Sequence, residues 1–231
     1  MAILECRELY KSYGRTAALE DLNLTVEPGH IVGLLGPNGS GKTTLLKLAN
    51  GLLTPSAGSI LVDGMVPGKE SHGMVSYLPE RTCIPLWMTT RQLLDFYEDF
   101  YGDFRRDRAE EMLAHLDIRM DQHIRQMSKG TREKVQLIVV MSRAAKLYLL
   151  DEPIGGVDPA TRDYILNTII GNYDPQAAVV ISTHLIADVE QVLDEVIFIN
   201  RGKVVLQSSV DRIREEKGMS VDALFREVFK C

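Results

Sequence analysis

The chain has 231 residues, 45% of them hydrophobic and 25% charged, with a formal net charge of −6. That length and balance suit one or two soluble globular domains with a full buried core. The acidic excess and the lack of any Lys/Arg cluster exclude a broad nucleic-acid footprint, and Cys6, Cys83 and Cys231 are too scattered for a disulfide framework or a C-x-x-C zinc site.

Such cysteine usage fits a reduced, cytosolic setting. No signal h-region opens the chain, and apolar runs such as Leu137 to Met141 fall far short of a membrane span. Apolar patterning over 2–9 and at Leu22, Leu24 and Val26 predicts two strands, with the polar stretch Tyr10 to Arg15 as their connection. Pro28-Gly29 turns the chain into Ile31 to Leu35, an apolar run that reads as a buried strand. Gly36-Pro37-Asn38-Gly39-Ser40-Gly41-Lys42-Thr43-Thr44 follows, then Leu45 to Asn50 at helical spacing, closed by Gly51.

Gly36, Gly41, Lys42 and Thr43 fit the pattern G-x-x-x-x-G-K-[ST]. Without a Cβ the glycines let the backbone curl its amides onto a phosphate chain, and the helix N-terminus adds partial positive charge. Lys42 can reach the β and γ phosphates, while the Thr43 hydroxyl suits Mg2+.

Residues 54–58 read as loop, with short strands at 59–63 and 74–78. After Pro79 the pattern turns helical, with helices over 89–101 and 105–116 and a third capped by Ser128. Leu147 to Leu150 then predicts a buried parallel strand delivering Asp151 and Glu152 at its C-terminal edge. There Asp151 can hold a Mg2+ hydration shell and Glu152 can take a proton from an attacking water. Asp158-Pro159 opens another helix, and the strand over 177–181 closes on Ser182-Thr183-His184. A lone histidine reads as structural or surface; beside a phosphate loop, His184 could hydrogen-bond a γ-phosphate. Residues 195–200 and 204–207 form a hairpin about Arg201-Gly202, and Val221, Leu224, Phe225, Val228 and Phe229 make one apolar face of a terminal helix.

Together these segments resemble the nucleotide-binding subunit of ATP-binding cassette (ABC) transporters over essentially the whole chain. The resemblance rests on Tyr13 as the adenine-stacking aromatic, Gly36 to Thr44 as Walker A, Tyr77-Leu78-Pro79-Glu80 at the Q-loop and Met127-Ser128-Lys129-Gly130-Thr131 at the signature. It continues through Leu147 to Glu152 as Walker B, Gly155-Gly156-Val157-Asp158 as the D-loop and His184 as the switch histidine. It implies an α/β P-loop NTPase fold with a RecA-like core, an antiparallel β-subdomain and an inserted α-helical subdomain, approximately residues 81–143 of one nucleotide-binding domain spanning 1–231. The implied activity is Mg2+-dependent hydrolysis of ATP to ADP and phosphate. Glu152, His184, Lys42 and Glu80 would be catalytic; Tyr13, Gly36 to Thr44, Ser128, Lys129, Gly130 and Asp158 would bind nucleotide; Thr43, Glu80 and Asp151 would hold the metal.

The partners implied are a second nucleotide-binding chain, identical or not, enclosing two ATP molecules head to tail, and integral membrane permease subunits, with no nucleic acid. The chain would then sit on the cytoplasmic face of the cell membrane. Permeases of this family dock near the Q-loop, where residues 83–88 include the only tryptophan, Trp87, whose plainer reading is packing inside the helical subdomain.

Three departures stand out: Glu80 replaces the usual glutamine, Met-Ser-Lys-Gly-Thr replaces L-S-G-G-Q, and Ile154 and Gly155 replace threonine and serine. Glu80 and Lys129 are either a compensating charge pair across the dimer or independent, one at the metal and one solvated. The S-K-G signature and the lack of a C-terminal regulatory domain point to export, resembling ABC-2 and antibiotic-resistance exporters. The alternative is a soluble ABC ATPase acting on nucleic acid or a ribosome, whose relatives carry coiled coils, zinc modules or paired cassettes not found here. A binding-only module would lack Lys42 or Glu152.

Overall fold

Leu4, Cys6 and Leu9 point inward along strand β1 (Leu4–Tyr13), matched by Leu22, Leu24 and Val26 of β2 (Thr16–Val26). Together with β4 (Ala57–Val62) they form an antiparallel sheet of order β2-β1-β4. The stretch expected as a connection is mostly strand: Lys11, Ser12 and Tyr13 pair with Leu19, Ala17 and Thr16, and only Gly14-Arg15 turns. These strand ends are largely exposed, so no apolar alternation marks them. The computed structural model describes residues 1–229; Cys231 lies outside the described residues.

A second sheet has the order β5-β6-β7-β3-β8-β9, from β3 (Ile31–Leu35), β5 (Val75–Leu78), β6 (Leu147–Asp151), β7 (Ala178–Thr183), β8 (Glu195–Asn200) and β9 (Lys203–Ser209). Its strands are parallel except β9, which returns antiparallel to β8. β3, β6 and β7 are buried throughout, as strands covered on both faces must be. Their C-terminal ends therefore open on one edge, where ligands bind in sheets of this kind.

Helix α1 (Lys42–Ala49) starts three residues earlier than its apolar spacing suggests, which places Lys42, Thr43 and Thr44 in its first turn. α2 (Thr90–Phe100) is fixed by a capping box of Thr89 and Gln92, and α3 (Arg106–Ala114) follows. Ser128 caps α4 (Lys129–Met141), and Asp158 with Pro159 caps α5 (Pro159–Asn172). Residues from α2, α3 and α4, including Leu93, Leu94, Leu113 and Ile138, form a hydrophobic core of their own. Trp87 is 67% exposed rather than packed there, because Ile84 and Met88 take the inward positions of its loop.

α6 (Ile186–Val189) lies between β7 and β8, and α7 (Val210–Lys217) and α8 (Val221–Phe229) follow β9. Val221 and Leu224 are buried and Phe225 packs edge-on and Phe229 at a tilt against Phe198, whereas Val228 turns out to solvent. Among the described residues no helix is long and apolar enough to cross a membrane.

Candidate active site

The loop between β3 and α1 is shaped by what surrounds it. A Cβ at Gly36 would lie 2.3 Å from the Ile199 carbonyl oxygen. One at Gly41, whose φ is 111°, would lie 2.7 Å from that of Ala18. Gly41→Ala is thus both strained and crowded, and is expected to destabilise the fold by more than about 1 kcal/mol and to abolish nucleotide binding, read by thermal melting and a fluorescent nucleotide titration.

Residues 38–44 line a cradle of about 320 Å³ shared with Glu80 and Glu152. Lys42 folds back over the loop, its Nζ donating to the carbonyls of Gly36 at 2.7 Å and Pro37 at 3.3 Å, and lies 3.8 Å from Glu152 Oε1. Burial lowers the Lys42 pKa, and the charges of Glu152, Asp151 and Glu80 oppose that shift.

At the end of β6, Asp151 is buried, and burial pushes its carboxyl up while hydrogen bonds from Ser182 and Thr43 pull it back. Its Oδ1 accepts from Thr43 Oγ1 at 3.1 Å and from Ser182 Oγ at 2.5 Å, and its Oδ2 is buried with no hydrogen-bond partner among the described residues. An unpartnered carboxylate oxygen beside a hydroxyl fits Mg2+, which takes one or two protein oxygens and fills its octahedron with water and phosphate oxygens.

Glu152 stands in left-handed backbone, φ 49°. Its carboxylate meets His184 Nδ1 at 3.1 and 3.0 Å and accepts from Thr183 Oγ1 at 3.2 Å. Lys42, Thr43, Asp151, Glu152 and His184 are thereby brought together from three strand ends, and Glu80 follows β5 onto the same edge.

Next to the cradle lies a cleft of about 510 Å³ bounded by Asn38, Glu80, Lys129, Glu152 and His184. Arg81, Arg132 and Glu133 also line it and had no signal beyond their charge. Lys129 Nζ is 3.7 Å from Glu133 Oε1 of its own helix, so a pair with Glu80 of another chain would have to exchange that contact.

Other expected site residues stand apart or are otherwise engaged. Tyr13 is half exposed at the β1–β2 turn, with Lys11 Nζ 5.5 Å from its ring centre. Ser128 Oγ is engaged with the amide and hydroxyl of Thr131, and Gly130 lies in the first turn of α4. Asp158 receives both the amide and the hydroxyl of Thr161. Of the departures, Ile154 is fully buried, and a Cβ on Gly155 would press to 3.3 Å from the Glu152 carbonyl oxygen.

The family model described as ABC transporter matches residues 19–155. The chain is 30% identical over 242 residues to the ABC-type transporter ATP-binding protein EcsA of Bacillus subtilis (strain 168), covering 100% of this chain and 98% of that protein. It is 30% identical over 222 residues to the SkfA peptide export ATP-binding protein SkfE of the same organism, covering 94% and 93%. A solved structure of an ATP binding subunit of an ABC transporter superposes with a TM-score of 0.89 at 28% identity, covering 98% of this chain and 99% of that one.

Proposed function

The chain belongs to the ABC transporter family as an ATP-binding subunit, and from that premise we propose that it is the Mg2+-dependent ATPase that drives an exporter. The observation carrying this reading is the convergence of Lys42, Thr43, Asp151, Glu152 and His184 on one sheet edge. Lys42, the loop amides of 36–44 and the N-terminus of α1 suit a triphosphate. Asp151 Oδ2 and Thr43 Oγ1 would hold Mg2+, with Glu80 at the cleft margin as a further oxygen donor. When bound, that cation supplies positive charge against the β and γ phosphates.

Hydrolysis joins a water oxygen to the γ-phosphorus and breaks its bond to the bridging oxygen of ADP. Glu152 takes the proton released by that water and returns it to the products. His184, bonded to the Glu152 carboxylate, orients it toward the cleft. Purified protein should release phosphate from ATP only with a divalent cation, and metal-independent release at the same rate would overturn the assignment.

The cleft flanked by Lys129 and Arg132 supports a site completed by a second nucleotide-binding chain. Ser128, Lys129, Gly130 and Asp158 are assigned to that junction, and residues 81–143 to the inserted helical subdomain. Integral membrane permease subunits would hold the chain at the cytoplasmic face of the cell membrane. The name of the SkfE relative supports export, and the exposed Trp87 suits a surface contact in residues 83–88.

Tyr13 is assigned to adenine, since its exposed ring has Lys11 close by. Base stacking is worth about 1–3 kcal/mol, so Tyr13→Ala should raise the ATP dissociation constant roughly tenfold or more while Tyr13→Phe does little. Equal affinities in a calorimetric titration would make Tyr13 merely structural.

A further inference from the structure

The last three residues before the β7–α6 turn all contact the acidic pair. His184 and Thr183 hold the Glu152 carboxylate. Ser182 does something else. It is fully buried, it pairs with Asp151 in the β6–β7 register, and on its other side it pairs with Leu34, two residues before the phosphate loop. Its Oγ donates to Asp151 Oδ1 at 2.5 Å and accepts from the Glu152 amide at 3.3 Å.

A serine hydroxyl has one proton. With the Glu152 N–H filling an acceptor position, that proton is directed to Asp151. Asp151 Oδ1 is then taken twice, by Ser182 and Thr43, and of its two oxygens Oδ2 is the one left without a partner among the described residues. The same serine also anchors the backbone of Glu152, whose amide donates to the Ser182 carbonyl at 2.9 Å. Left-handed backbone at a non-glycine residue persists only where its surroundings over-determine it. Here two atoms of Ser182 grip the amide next to the φ of 49°.

We propose that Ser182 is a positioning residue for ATP hydrolysis: its hydroxyl selects the oxygen that Asp151 offers to the cation, and it holds Glu152 in the backbone geometry that turns its carboxylate to the cleft. This rests on the assignment of Asp151 and Glu152 given above. Groups that orient a metal-binding carboxylate typically change metal affinity or activity by about 10- to 100-fold when removed.

The test compares Ser182→Ala and Ser182→Thr in the full chain. Mn2+ binding to protein loaded with a non-hydrolysable ATP analogue is followed by electron paramagnetic resonance, beside kcat, KM and the melting temperature. Ser182→Ala should bind Mn2+ about 10- to 100-fold more weakly and lose a similar factor in kcat. Its affinity for the analogue in EDTA should stay within about twofold, because the phosphate loop is untouched, and Ser182→Thr should recover most of the loss. Parental Mn2+ affinity in Ser182→Ala overturns the proposal. So does an equal loss of metal-free analogue binding, which would mark a general collapse of the site, or a Ser182→Thr variant that melts like the parent without regaining metal affinity. The Mn2+ measurement does not depend on Glu152 being the base: parental turnover in Glu152→Gln would instead overturn the assignment beneath it.

Discussion

Glu152→Gln is expected to bind ATP as the parent does and to lose about 10²- to 10⁴-fold in turnover, the range that a positioned general base contributes. Gln is nearly isosteric and can still accept from Thr183 Oγ1 through its carbonyl oxygen, so the site should keep its shape. What it cannot do is accept a proton at neutral pH. The 3.8 Å contact between Lys42 Nζ and Glu152 Oε1 weakens without the charge. Since Lys42 keeps its two loop carbonyls, phosphate binding should hold or improve. ATP-bound protein should then accumulate, and if two chains close on the nucleotide, a dimer should appear by light scattering in the presence of ATP. Turnover within a few-fold of the parent would remove Glu152 from the role of base.

The parts of this site legible in the sequence are those whose chemistry lies in short local patterns. Gly36 and Gly41 announce the phosphate loop because a Cβ at either would crowd the Ile199 or Ala18 carbonyl oxygen, and Lys42 announces it by following Gly41 directly in the G-x-x-x-x-G-K-[ST] spacing. Asp151 and Glu152 were legible because four apolar residues before them specify a buried strand that must end somewhere. Ser182 and Thr183 carried only the faint signal of two hydroxyls closing an apolar strand. Their roles depend on β6 lying beside β7, a pairing between residues about 30 positions apart. The left-handed turn at Glu152 had no signal at all, since no glycine marks it. Trp87 misled for a related reason: its loop buries Ile84 and Met88, and hydrophobicity alone does not say which residue of such a run faces out.

Arg143→Met is expected to lower stability by about 3 kcal/mol, the lower end of the cost of stranding a buried charge partner. The guanidinium is 3% exposed and joins three segments distant in sequence. Its Nε and Nη2 donate to both oxygens of Asp103 at 3.0 and 3.1 Å, and Nη1 donates to the Val75 carbonyl at 2.6 Å. Nη2 also reaches the carbonyls of His72 and Gly73 at 3.1 and 3.2 Å, and the planar group lies 3.8 Å from the centre of the Tyr101 ring. Methionine preserves the stem and some contact with the ring but satisfies none of these acceptors. Water can reach Asp103, which is 21% exposed, and this keeps the loss from being larger. For a chain of this size about 3 kcal/mol corresponds to a fall of roughly 6–12 °C in the melting temperature. Arg106 provides the control. It meets three carboxylates, Asp95, Glu98 and Glu110, but these are 45–51% exposed, so Arg106→Met should cost about 1 kcal/mol or less. Counting ion pairs ranks Arg106 first; counting buried acceptors ranks Arg143 first. Equal melting temperatures for the two variants would show that the Arg143 junction is not what ties the end of α4 to the lead-in of β5.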